Sequence, residues 1–214
     1  MTRGRAAPPL PPPQPPALAA RAVSEAARAA AEAWAQPMDP AESGRAASQL
    51  HSVLRDLGIA TRGLARFQTT GRPADPAPLG FSRLVAAAAQ RLVAAWESLD
   101  GVIAAEGLGA VPDPDEPGAV LCRAARNTIT AWRQPIGTSE DRDTTVQRLI
   151  TAIGYLSAAT QCLITFAPRQ RAIVLRAVDA TMAAATACLT GAIQPPADEA
   201  GPGRQCSGMA DGSR

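Results

Sequence analysis

The sequence predicts an all-α fold, a bundle of about six Ala-rich amphipathic helices between disordered ends. Three observations lead to this prediction. Six segments carry apolar residues at helical spacing, β-branched residues are too sparse to alternate with polar ones as strands require, and alanine dominates the apolar stripes. The chain has 214 residues, enough for one domain with a real core.

The two ends of the chain are predicted to lie outside this bundle. Residues 1–16 form a Pro-rich arm that favours polyproline II, and Arg5, Pro8 and Pro11 fit the R-x-x-P-x-x-P spacing that SH3 grooves read. Residues 194–214 are rich in Gly, Pro, Ser and Asp, which is typical of a solvated tail. The bundle is therefore expected to span residues 17–193.

The first two helices are predicted on either side of Pro37. Residues 17–36 carry a ladder of opposite charges on one surface, and Pro37 ends that helix. Asp39, Pro40 and Glu42 then form a helix start, with an acidic N-cap, proline at the first position and glutamate at the third. The linker 71–79 follows and allows a division of the bundle into 17–70 and 80–193.

The third and fourth helices flank an acidic turn. The third, about 81–108, has the clearest apolar stripe, from Phe81 through Trp96 to Ile103. The turn 112–117 precedes a fourth helix whose acidic start and Arg-rich end both suit the helix dipole. Trp34, Trp96 and Trp132 lie near the stripes and are predicted to anchor the core.

The last two helices are predicted to meet at Pro168. Thr138 or Ser139 caps the fifth helix, and Pro168 can begin the sixth. The short joint favours an antiparallel hairpin, with one kinked helix as the alternative. Arg169 and Arg171 fall in the first turn of the sixth helix, where the dipole disfavours cations, so the carbonyls that end the fifth helix at Phe166 are the expected partners, ahead of an anionic ligand.

Composition argues against an enzyme. The chain has one His (His51), one Asn (Asn127) and no Lys, which removes most general bases, Schiff-base lysines and metal ligands. We therefore predict no catalytic residue, no cofactor-binding residue and no metal site, and we expect His51 to face solvent. The four cysteines are scattered, no secretory signal is seen, and the bias towards Ala, Gly, Pro and Arg indicates a GC-rich bacterial source, so a cytoplasmic location is expected.

One alternative function is DNA binding through residues 53–67. This segment resembles a helix-turn-helix unit with its turn at Gly58, in which Thr61, Arg62 and Arg66 would begin the recognition helix. The same apolar residues also fit one uninterrupted helix over 41–68.

A second alternative is a membrane-associated hairpin over residues 149–193. The stretch 149–167 has no charged residue and is long enough to span a bilayer, but it contains several polar residues, and the next helix carries Arg176 and Asp179. A third is a pocket between helices with Asn127 or Gln161 as its buried polar group.

The leading expectation is a non-enzymatic protein that mediates protein-protein interaction. A core poor in aromatic residues buries little apolar area per residue, so pairing with another chain would add stability. We expect a protein partner or self-association through a helix face, with nucleic acid and membrane as the less favoured partners.

Overall fold

The computed structural model describes residues 15–65, 79–106, 113–134, 136 and 138–194. These residues form six α-helices and no strand, which confirms the all-α prediction. The helices are α1 (Pro16–Trp34), α2 (Pro40–Ala65), α3 (Leu79–Glu106), α4 (Pro117–Ala131), α5 (Ser139–Phe166) and α6 (Arg169–Ile193). Residues 1–14 of the predicted arm, residues 195–214 of the predicted tail and all but the last residue of the linker 71–79 lie outside the described residues.

The helices form two layers of three. One layer has the order α1, α5, α6 and the other the order α4, α2, α3, and each helix packs on its neighbour in its own layer and on the one opposite. In this arrangement α5 and α2 occupy the middle positions and touch each other between the layers. The free side of α5 and the free side of α2 therefore face solvent in opposite directions.

Local signals in the sequence set several helix ends. The Asp39 carboxylate accepts a hydrogen bond from the Glu42 amide at 2.8 Å, and the Glu42 carboxylate accepts from the Asp39 amide at 2.9 Å, as the predicted helix start requires. Thr138 caps α5 by accepting from the Asp141 amide at 3.1 Å. The first helix ends at Trp34 with Ala35 as its C-cap, just before Pro37, whose ring disfavours the helical conformation at the preceding residue.

The core is built from Leu, Val, Ile and many Ala side chains, with two tryptophans at its edges. Trp34 and Trp132 are buried as predicted, and the Trp132 indole donates to the Pro16 carbonyl at 3.3 Å, which fastens the start of α1 to the end of α4. Small side chains let the helices approach closely. At Gly58, an added Cβ would lie only 2.9 Å from a methyl carbon of Val93 on α3.

Of the two geometries that the sequence left open for residues 53–67, the structure shows the uninterrupted helix as far as Ala65 and not the helix-turn-helix. Helix α2 runs without interruption through Gly58 to Ala65. Gly58 is a contact point with α3 rather than a turn, because its missing side chain makes room for Val93. Sequence spacing alone could not distinguish a helix-turn-helix from one continuous helix, since the same apolar residues fit both arrangements.

The joint between α5 and α6 is an antiparallel hairpin, and Arg171 has a different partner from the one expected. Its guanidinium donates to the Glu106 carboxylate at the end of α3 and to the Ser43 hydroxyl on α2, not to the carbonyls near Phe166. A side-chain anion on another helix thus relieves the unfavourable dipole position of this buried cation.

Candidate interaction surfaces

The free side of α5 is a surface stripe without charge, here named the α5 outer stripe. Its exposed residues recur at intervals of three and four: Thr151, Gly154, Ala158, Gln161 and Thr165. No Asp, Glu or Arg occurs anywhere from residue 149 to 168. Because α5 is the middle helix of its layer, this stripe runs along the centre of one broad face of the molecule.

Gly154 in this stripe has no described residue packed against the position of its missing side chain. Glycine in a helix interior costs about 1 kcal/mol relative to alanine, and Gly154 is the sixteenth of the 28 residues of α5. At Gly58 and Gly118 a Cβ would meet Val93 or Gln49 at under 3.0 Å, whereas at Gly154 it would meet nothing within 4 Å. The packing of one chain therefore gives no reason for this glycine.

The helices that flank α5 both carry charge, with Arg176 and Asp179 on the α6 side and two ion pairs on the α1 side. The exposed residues of α6 from 177 to 191 are all small: Ala177, Ala180, Ala183, Ala187 and Gly191. The Asp179 carboxylate, near the α5–α6 contact, accepts hydrogen bonds from Ser157 and Gln161 of α5. On the other side, α1 carries the predicted ion pairs Arg21–Glu25 at 2.7 Å and Arg28–Glu32 at 3.9 Å.

The opposite layer presents a group of arginines, here named the α2–α4 arginine cluster. It consists of Arg55 and Arg62 on α2 and Arg126 and Arg133 on or just after α4. Helices α2 and α4 run parallel, since Asp56 pairs with Arg126 and Gly63 lies against the Trp132 carbonyl. Arg55 and Arg62 are seven residues apart, and so are Arg126 and Arg133. The four side chains therefore form two rows of similar length.

A buried carboxylate organises part of this cluster. Asp56 is 2% exposed, its Oδ1 lies 3.0 Å from Nε of Arg55, and its Oδ2 lies 3.6 Å from Nε of Arg126. The arginine side chains themselves remain 43% and 66% exposed. Nε of Arg55 donates to Oδ1, whereas Oδ2 of Asp56 makes no hydrogen bond to the described residues and contacts Arg126 only as a longer ion pair.

The three residues predicted for DNA contact do not form one site. Thr61 is buried and its hydroxyl donates to the Leu57 carbonyl at 2.7 Å, so it cannot reach a ligand from α2. Arg62 is exposed and belongs to the arginine cluster, and Arg66 lies outside the described residues. The sequence interpretation missed Arg126 and Arg133, although their seven-residue spacing matches that of Arg55 and Arg62.

The expectation that His51 faces solvent is wrong. Its Nε2 lies 2.9 Å from Oδ1 of Asp100 on α3, its ring centroid lies 5.9 Å from that of Trp96, and its side chain is 15% exposed. Burial lowers the pKa of His51, and this effect outweighs the hydrogen bond and the charge of Asp100, which raise it. The hydrogen bond between His51 and Asp100 joins α2 to α3.

The predicted pocket around Asn127 or Gln161 is also wrong. Asn127 is exposed on α4, and Gln161 is exposed and donates to Asp179. Two surface depressions have volumes of about 490 and 250 Å³, and neither is lined by either residue. Among the described residues, no group of three or more His, Cys, Asp or Glu side chains is placed to hold a metal ion.

The cysteines in the described part of the chain are free thiols. Cys122, Cys162 and Cys188 are partly buried and form no disulfide. Burial first, and the nearby Asp56 charge second, raise the pKa of the Cys122 thiol to about 11. A thiol with this pKa is almost entirely protonated at neutral pH and is a poor nucleophile.

Comparison with known proteins adds no functional information. No family model matches the sequence, and no curated protein or solved structure is similar to it. By length and composition, two helices are apolar enough to cross a membrane, Glu140–Phe166 within α5 and Arg169–Ile193. In the most apolar windows of these helices, 39% and 33% of the residues are buried inside the bundle.

Proposed function

We propose that this chain is a non-enzymatic, cytoplasmic helical-bundle protein that self-associates through the α5 outer stripe. The single observation that carries the proposal is Gly154, a mid-helix glycine on the free side of α5 with nothing near the position of its missing side chain. Gly101 on α3 has the same empty Cβ position, so what sets Gly154 apart is its place in the middle of the uncharged α5 outer stripe, where another backbone can pack against it.

The size of the face suits a dimer. The uncharged span of α5 from residue 149 to 166 is about 27 Å long at 1.5 Å per residue. Together with α6, at an axial separation of about 9 Å, it offers roughly 500 Å² in projection. Accessible area exceeds projected area because helix surfaces are ridged, so the face approaches the ~800 Å² per partner of stable complexes.

The chemistry of the face favours a second copy of the chain. The α5 outer stripe itself carries no charge, and its small side chains allow two copies to come close across a two-fold axis. Arg176 and Asp179 of α6 then lie beside the contact, and Asp179 is already held by Ser157 and Gln161. The ion pairs of α1 then lie at the rim of the interface, where the charged side chains stay in contact with water and need not be desolvated. A bilayer is a poorer occupant, because Thr151, Gln161 and Thr165 are polar and Ile173 is the one large apolar side chain exposed on α6.

Matched glycine substitutions test this proposal. Gly154 and Gly101, on α3, are both exposed and both have nothing within 4 Å of the Cβ position, so arginine fits at either site in a single chain. Sedimentation velocity should show a dimer for the unmodified chain and for Gly101→Arg, and a monomer for Gly154→Arg. If the unmodified chain is a monomer, or if Gly154→Arg stays dimeric, the proposal is wrong.

A further inference from the structure

We infer that the α2–α4 arginine cluster binds the phosphodiester backbone of duplex DNA. This inference does not depend on self-association. The cluster lies on the layer opposite the α5 outer stripe, so a dimer formed through the stripe leaves both copies of the cluster exposed. The helix-turn-helix geometry plays no part in it, because the contacting surface is the side of two parallel helices.

The charge on this surface is net positive, with one carboxylate of the described residues set against four arginines. Helix α4 and the residues after it, 117–134, contain three arginines and no acid, and residues 57–65 of α2 contain one arginine and no acid. Among the described residues, the carboxylate in contact with the cluster is that of Asp56, which is buried beneath two of its arginines. A ligand that approaches from solvent therefore meets four guanidiniums.

The spacing of the cluster matches a polyanion rather than a single small anion. Seven helical residues rise about 10 Å, so Arg55 and Arg62 are separated by about that distance along α2. The second row on α4 is offset by one helix spacing, about 8–10 Å. A single phosphate cannot reach all four side chains, whereas phosphates follow each other every 3.4 Å of axis on one strand of duplex DNA.

Asp56 has the role of a positioning residue. By engaging Nε of Arg55 and lying close to Nε of Arg126, it restricts two long side chains that would otherwise sample many rotamers. Both side chains stay partly exposed, and the terminal amino groups of a guanidinium whose Nε is engaged can still donate to phosphate oxygens. Less side-chain freedom is lost on binding, which favours affinity.

Two double variants with the same charge change test the inference. Arg62→Ala with Arg126→Ala removes one arginine from each row of the cluster. Arg21→Ala with Arg28→Ala removes two exposed arginines from α1 in the other layer, where each is paired with a glutamate. Binding of the full chain to a fluorescent duplex DNA is measured by anisotropy at several salt concentrations, and vesicles with anionic phosphatidylglycerol serve as a second probe.

The expected result is DNA binding that weakens as salt rises. The cluster variant should bind at least tenfold more weakly at low salt, and the slope of log K against log salt should fall by about 1.8, since each phosphate contact contributes about 0.9. The α1 variant should keep the unmodified slope. No DNA binding by the unmodified chain, an equal loss in both variants, or binding to anionic vesicles without DNA binding would each overturn the inference.

Discussion

The buried ion pair between Arg171 and Glu106 should respond very unequally to the loss of its two partners. The Arg171 side chain is 5% exposed. Among the described residues its other hydrogen bond is to the Ser43 hydroxyl at 3.2 Å, and its Nε has no partner. The Glu106 side chain is 29% exposed. Glu106→Gln therefore leaves a buried cation without its counter-charge, whereas Arg171→Met leaves a carboxylate that water can reach.

The expected magnitudes follow from that difference. Removal of the counter-charge from a buried ion costs about 3 kcal/mol of unfolding free energy, and replacement of the buried arginine by an apolar side chain of similar length costs about 1 kcal/mol or less. The double variant should resemble Arg171→Met alone, because the cation that Glu106 neutralises is then absent. Urea unfolding, monitored by circular dichroism at fixed protein concentration, measures the unfolding free energies of the three variants. Equal costs for the two single variants, or a larger cost for Arg171→Met, would refute this reasoning.

Three further predictions concern single residues. Because burial lowers the pKa of His51 below its unfolded value of about 6.5, the unfolded state takes up the proton first, so stability should fall as pH drops through the region near and below 6.5. In thermal melts between pH 5 and 8, His51→Gln should lose that part of the pH dependence, and an unchanged profile would contradict the assignment. Gly154→Ala should raise the unfolding free energy of the monomer by about 1 kcal/mol, because the new Cβ meets no other atom and alanine has the higher helix propensity. Urea unfolding at low protein concentration measures this change. A lower unfolding free energy for the variant would contradict the prediction. With its pKa near 11, Cys122 should react with iodoacetamide at pH 8 far more slowly than a model thiol. Peptide mapping by mass spectrometry measures the reaction rate. A rate equal to that of the model thiol would contradict the burial of Cys122.

Helix positions were predictable because their signals are local. The N-cap at Thr138 and the reciprocal bonds of Asp39 and Glu42 depend on residues within four positions of each other, and the structure confirms both helix starts. The charge ladder of α1 is local in the same way. Short-range chemistry of this kind does not depend on which helices become neighbours.

Contacts between distant helices could not be predicted in this way. The Asp100 partner of His51 lies 49 positions away, and Glu106 lies 65 positions from Arg171, so neither pair has a signal in a local window. The role of Gly58 could not be predicted either, because it depends on the close approach of Val93 from α3, another helix. The layer order that places α5 and α2 in the middle decides which faces remain free, and it is a property of the whole packing.

The molar mass of the unmodified chain in solution tests self-association most directly. Sedimentation equilibrium over a wide range of protein concentration, at moderate salt and without DNA, measures this mass against the 22.0 kDa of one chain. Association through the α5 outer stripe predicts a mass that rises to twice this value as concentration increases. A mass that stays at 22.0 kDa throughout would contradict the account.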